Sequence, residues 1–471
     1  MIKMLMGSIR QYKRESLLSP LFVALEVVLE CLLPLVMASM IDNMTGNSMA
    51  PIIKYGIALA CMAMLSLLCG ALAGKYAATA SCGFAKNLRQ DLFFKIQDFS
   101  FADIDTFSTS SLVTRMPTDV TNVQNAYQMI IRVAVRTPLM LIFSVIMGMS
   151  ISVRISLIFL VMIPIIGGAL LGIAWHVFPI FKRIFKKYDR MNESVQENIA
   201  GIRVVKSFVR EDYAREKFYT QSESVRRDFT HVEKILALNA PIMMFGIYVC
   251  MLLVSLVGAN IIISSHGSAL TTGELSSLIN YGVQILASMM MFSMVFVMCM
   301  MAAEPVQRIT EVLKHESVLE NPENGKKTLR DGSISFDHVS FRYSDKSKKY
   351  ALSDITFDIP SGATIGIIGG KTSLIQLISR LYDTTEGSVR VGGADVREYD
   401  LESLRSEVAV VLQKNILFSG TIKENLRWGD KNASDAELER VCRLAQADEF
   451  FQQFPQKYDT YIERGGSNVS G

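Results

Sequence analysis

Ile365–Leu374 reads IGIIGGKTSL, and the reading of this stretch decides the fold of the C-terminal part of the chain. An apolar run of β character leads into Gly369 and Gly370, then Lys371 and Thr372, then apolar residues at helical spacing. That is the grammar of a phosphate-binding loop, whose spacing is G-x-x-x-x-G-K-[ST]. The match is imperfect: only two glycines precede the lysine, and the loop is four residues short. Its surroundings argue for the match nonetheless. Upstream lie SISFDHVSFRY and ITFDI, both strand patterns, then TIGIIGG as a third strand, and downstream KTSLIQLISRLY reads as a helix. Strand, glycine turn and helix in that order predict an α/β P-loop domain, where backbone N–H groups and a helix N-terminus surround phosphates. There Lys371 reaches the β/γ-phosphates and the Thr372 hydroxyl holds Mg²⁺; a plain helix N-terminus is the competing reading.

Outside this region the chain changes character. Its 471 residues are 50% hydrophobic and 20% charged, averages that hide a sharp division. A bilayer core needs roughly 20 apolar residues in a helix. Six segments qualify: Leu21–Ile41, Pro51–Ala73, Met129–Ile151, Ile155–Phe178, Pro241–Ile263 and Leu275–Ala303. Six spans place both chain ends on one side. Lys and Arg number four in Met1–Pro20, five in Gly74–Gln128 and thirteen in Pro179–Ala240, whereas the three alternate segments together carry only Arg154. Cytoplasmic loops hold the positive excess, so both large loops and both ends face the cytoplasm. Those loops, about 74–128 and 179–240, show apolar residues at helical spacing. Spanning helices that continue far into the cytoplasm are therefore expected.

The remaining features are weaker. MIKMLMGSIRQYKRES lacks a signal-peptide core and is expected to form a basic amphipathic helix on the membrane surface. The seven cysteines lie mostly in apolar runs, at no metal-ligand spacing, and the five histidines are scattered. Glu26 and Glu30 lie one turn apart in the first span, where a carboxylate is expensive. They serve either as a counter-charge for cationic substrates or as partners of Arg132 and Arg136 in the third span; pairing is the preferred reading. Seven methionines crowd the last span, as adaptable substrate lining or as ordinary packing, with packing preferred. Gly70 and Gly74 permit close helix contact.

With its motifs in this order, the chain resembles a half-transporter of the ATP-binding cassette (ABC) exporter class, multidrug-exporter-like, a type I exporter of the type IV fold. In this class one six-helix membrane domain is fused to one nucleotide-binding domain. Tyr343 in VSFRYSD resembles the aromatic that stacks on adenine, and Gln413 in VAVVLQKNILFSGTIKENL resembles the Q-loop glutamine near Mg²⁺ and the attacking water. The terminal ERGGSNVSG resembles the start of the family signature, with Val469 in place of Leu, so that Ser470 and Gly471 contact the γ-phosphate held by a second subunit. SLVTRMPTDVTNVQNA and ENIAGIRVVKSFVRED resemble the two cytoplasmic loops whose tips form coupling helices.

The resemblance implies an all-α membrane domain followed by the α/β domain. Residues 1–15 form an interfacial elbow helix, 16–305 the exporter domain, 306–330 a linker and 331–471 the ATP-binding domain. It implies an ATP hydrolase with ATP and Mg²⁺ as cofactors. Lys371 and Gln413 are the catalytic residues; Tyr343, Gly369, Gly370, Lys371, Thr372, Gln413, Ser470 and Gly471 bind the nucleotide; Thr372 and Gln413 serve the metal. The expected partners are a second half-transporter, the lipid bilayer and a small hydrophobic or amphipathic substrate, with no nucleic acid. The chain is expected in a bacterial plasma membrane with its nucleotide-binding domain in the cytoplasm. The rival readings are a regulatory half with a degenerate ATP site and an ATP-gated channel. One cause is expected for both the short loop and the sequence ending within the signature, residues of the full protein omitted at both places, with a genuine deletion or an inactive engineered form as the competing readings.

Overall fold

The computed structural model describes every residue except 1, 46–48, 108, 345–346, 348, 412–415, 467 and 470–471. The chain divides into two compact units, Met1–Phe99 with Asp103–Ser317, and Val318–Gly471 with Ser100–Ala102.

The first unit is helical because hydrocarbon leaves a spanning backbone no partners except its own carbonyls. Among the described residues, six helices are long and apolar enough to cross a membrane: α2 (Lys13–Asp42), α3 (Met49–Gln97), α6 (Val120–Ile151), α7 (Val153–Ala200), α10 (Asn239–Ser265) and α11 (Thr272–Lys314). Each sequence-derived span falls inside one of them. The loop helices are continuations, as expected: α3 and α7 run on for 49 and 48 residues, far more than a bilayer requires. Shorter pieces complete the cytoplasmic end, namely α4 (Phe101–Phe107), α5 (Thr109–Thr114), α8 (Ile202–Ser207) and α9 (Glu211–Leu236). A single π turn, Arg115–Asp119, joins α5 to α6.

The N-terminal stretch departs from the single surface helix expected of it. It forms α1 (Ile2–Gly7) and a 3-10 turn at Arg10–Tyr12, and α2 begins at Lys13. Leu5 and Ile9 are buried against Phe84, Leu88 and Leu92 of α3 and Ile309 and Val312 of α11. Asp91 fixes the stretch, accepting from the Ser8 hydroxyl at 2.7 Å and from Arg10 at 2.6 Å. Tertiary contact outcompetes a free amphipathic helix because a helix of this length is marginal alone.

Within the membrane, packing and hydrogen bonds hold the bundle, since lipid is as apolar as the side chains. Ser277 donates to the Pro34 carbonyl and Tyr281 to the Cys31 carbonyl at 2.6 Å, tying α11 to α2. At the outer end Thr271 caps α11 in a reciprocal capping box with Glu274. Asp42 of α2 adds an acceptor there, taking the Gly273 N–H at 2.9 Å and the Thr271 hydroxyl at 2.7 Å. The two backbones meet so closely that a Cβ on Gly273 would overlap the Ala38 carbonyl oxygen. Gly273→Ala is therefore expected to cost about 1–3 kcal/mol of overpacking. Gly172→Ala, whose Cβ would meet nothing within 4 Å, serves as the control in thermal unfolding.

Cytoplasmic charges fix the helix ends. Arg308 of α11 donates to Asp119 at 2.7 Å, and Arg115 donates to the Arg308 carbonyl at 2.6 Å. Burial pushes the Asp119 carboxyl above the usual carboxylate range, against the opposing pull of Arg308. Asp103 of α4 is buried and bonds the His315 ring at 2.7 Å and the Ser317 hydroxyl at 2.8 Å.

The second unit holds a four-stranded antiparallel sheet in the order β2-β1-β3-β4: β1 Ile334–Phe341, β2 Leu352–Ile359, β3 Glu386–Val391 and β4 Ala394–Asp395. Phe336, Phe341, Val389 and Val391 form its apolar face, against which Leu374 and Leu377 of the helix α12 (Lys371–Ile378) are packed. At an irregularity of the β1–β2 pairing, His338 lies 2.7 Å from Asp354, which raises its pKa above the usual 6.5. The stability from this pair is full below pH 6.5 and is lost as pH rises through the raised pKa. Histidine-selective NMR of the intact protein should place the His338 midpoint above 6.5, and Asp354→Asn should lower it.

One expectation fails here. Thr364–Ile368, read as a strand, has no ladder partner. Ile365 is 47% exposed and Ile368 fully exposed. A chain segment becomes a sheet strand only when a neighbour supplies donors and acceptors, and none of the described residues does so.

Candidate nucleotide site

After β2 the chain turns at Gly362 (φ +78°) and continues without regular structure to Gly369 (φ +79°) and Gly370 (φ +61°). Two successive left-handed residues are cheap only for glycine. They swing the chain abruptly into α12 at Lys371. No side chain caps this helix, and the backbone N–H groups of Lys371, Thr372 and Ser373 donate to no protein group among the described residues. Free first-turn donors, together with the positive end of the helix dipole, suit an anion.

The Lys371 and Thr372 side chains are exposed beside these donors, and Lys371 forms no ion pair among the described residues. A Cβ on Gly369 would meet nothing within 4 Å, so open space lies on that side, whereas on Gly370 it would press on Leu352 at 3.3 Å. The residues present thus fit one wall of a triphosphate site: three amides, an ammonium for the phosphate oxygens and a hydroxyl for a hard cation.

Tyr343, two residues past the end of β1, is 42% exposed. Its ring meets Phe341 at 4.8 Å and Tyr382 at 5.3 Å, edge to face in both cases. Its hydroxyl donates to Gln376 Oε1 at 3.0 Å, which leaves it to accept from Ser373 Oγ at 2.8 Å. The structure therefore brings Tyr343 onto the same helix that carries Lys371 and Thr372. Ser373, Gln376 and Tyr382 went unnoticed in the sequence reading. The spacing of Ser373 and Gln376, three apart on one helical face, was the available signal. Gln413, Ser470 and Gly471 lie outside the described residues.

In the membrane unit Glu26 and Glu30 pair with the third span, the preferred reading, through Arg136 rather than Arg132. Arg136 of α6 donates to Glu26, and to both oxygens of Glu30 at 2.9 and 2.7 Å. Arg132 joins no ion pair among the described residues; its guanidinium lies over Gly74. Gly70 faces the Glu26 carboxylate, 3.0 Å from where a Cβ would stand. The two glycines make room for charged side chains.

Six membrane-length helices joined in one chain to a nucleotide-type glycine turn define a membrane transporter with a cytoplasmic ATP-binding domain. The chain belongs to the ABC transporter family: residues 16–289 match the ABC transporter transmembrane region and residues 352–471 the ABC transporter family model. It is 32% identical to the ABC transporter ATP-binding protein YfiB of Bacillus subtilis, over 95% of this chain and 78% of that protein. It is 30% identical to Rv1273c of Mycobacterium tuberculosis, over 100% of this chain and 82% of that protein. It is 25% identical to YfiC of Bacillus subtilis, over 96% of this chain and 75% of that protein. The architecture is that of a half-transporter of the exporter type, an integral membrane protein.

Proposed function

We propose that the chain is one half of an ATP-driven exporter of small hydrophobic or amphipathic molecules. The observation that carries this reading is the Gly369–Gly370–Lys371 turn, with its free helix amides, in a chain that also holds six spans. When bound, ATP supplies phosphoryl transfer to water as the energy source. Lys371 holds negative charge at the β/γ-phosphate position, and Thr372 offers its hydroxyl to Mg²⁺. Tyr343 turns its exposed ring face to the adenine, anchored by Ser373 and Gln376. Gln413 serves the metal and the attacking water, and Ser470 and Gly471 serve a nucleotide held by a second half-transporter. Closure of two such domains turns the membrane cavity outward, an alternating-access motion of packed rigid bodies.

The test is transport by the full-length protein, in its native assembly, reconstituted in liposomes with a fluorescent amphiphile. ATP-dependent accumulation against a gradient is the expected result. ATP-gated conductance steps in planar bilayers without uphill transport would overturn it in favour of a channel.

A further inference from the structure

The chain passes between its two units at three places: Phe99–Ser100, Ala102–Asp103 and Ser317–Val318. In the first unit, residues beside these crossings gather about one carboxylate. Asp103, its side chain fully buried, lies 2.7 Å from His315 Nε2 and accepts from the Ser317 hydroxyl at 2.8 Å. Phe99 and Phe107 meet the His315 ring edge to face, at 5.2 and 5.0 Å. His315 is also where α11 stops, its N–H closing the last turn on the Glu311 and Val312 carbonyls. The end of α3, the loop helix α4 and the exit of α11 are thus fastened at one point.

Imidazole is the side chain whose charge ordinarily changes near neutrality. Charged, His315 meets Asp103 as an ion pair; neutral, it offers a hydrogen bond about half as strong. A buried carboxylate gains most from the charged partner. The charged side chains on the elements that meet there are Asp98 after α3, Asp105 of α4, Arg115 of the π turn, and Glu311, Lys314 and Glu316 in the segment of His315 itself. Arg115 is engaged elsewhere, over the Phe107 ring at 5.3 Å and on the Arg308 carbonyl.

We propose that Asp103 and His315 are positioning residues that form a proton-sensitive latch. Closed when His315 is charged, the latch makes the first cytoplasmic loop and the exit of α11 move as one; it loosens when the ring loses its proton. It touches neither nucleotide nor cargo, and it sets how much transport each hydrolysis yields. This rests on the export reading above and adds its regulation by pH on the cytoplasmic side.

The test uses the full-length protein in its native assembly, reconstituted in liposomes. Transport of a fluorescent amphiphile and ATP hydrolysis are measured together, from about pH 5.5 to about 8.5 on the ATP side. Transport per ATP should be highest at the acid end and fall about threefold as pH rises through the imidazole midpoint. His315→Gln keeps a donor for Asp103 but cannot charge, so its ratio should stay at the low, alkaline level throughout. Asp103→Asn should flatten the profile in the same way, and it carries the test if His315→Gln fails to insert. Ser317→Ala should lower the ratio at every pH and keep the slope. A flat profile in the wild type, or the wild-type profile retained in either flattening variant, overturns the latch and leaves the export reading standing. No ATP-dependent transport by the wild type at any pH counts against both.

Discussion

Lys371→Ala is expected to lower ATP hydrolysis by about 10²–10³-fold, the usual cost of removing one preorganised donor from a developing oxyanion. The side chain is exposed and, among the described residues, unpaired, so its loss breaks no internal contact. The nucleotide-free protein should therefore unfold at an unchanged temperature. The discriminating measurement is the stabilisation added by ATP and Mg²⁺, because a ligand that binds the native state stabilises it by an amount that grows with the logarithm of its concentration over Kd. Wild type should show the shift, and the variant should lose most of it together with transport. Unchanged turnover would sink the ATP-driven mechanism. A lost turnover with an unchanged midpoint shift would restrict Lys371 to the chemical step.

Arg136→Leu should produce the largest structural defect. It leaves the carboxylates of Glu26 and Glu30 at spanning depth without their shared cation. Breaking a buried pair by removing one partner costs about 3–5 kcal/mol, because the remaining charge is uncompensated. The readouts are the yield of inserted protein and its thermal midpoint in lipid nanodiscs. The triple variant Arg136→Leu, Glu26→Gln, Glu30→Gln removes the charges together and should recover most of the loss, since no orphan ion is left. If Arg136→Leu alone were as stable as wild type, the triad would not be the element that joins α2 to α6 at this depth.

The amino-acid sequence by itself determined whatever depends on local pattern. Span number, orientation and the cytoplasmic continuation of α3 and α7 follow from runs of apolar residues and the placement of Lys and Arg, which a helix and a bilayer read segment by segment. The helix start at Lys371 was legible for the same reason: glycines that permit left-handed turns and an apolar period are local signals. Non-local choices were decided only by the tertiary structure. Spacing put Arg132 and Arg136 on equal terms, yet one guanidinium takes both acids because α2 and α6 bring it there, with Gly70 giving way to Glu26. Tyr343 gained its partners on α12 only when the sheet packed against that helix. Thr364–Ile368 has the composition of a strand but lacks a pairing neighbour among the described residues, and strand formation needs a second segment's backbone. A helix closes its own hydrogen bonds; an ion pair, a buried hydroxyl and a sheet strand each need a partner that sequence order does not specify.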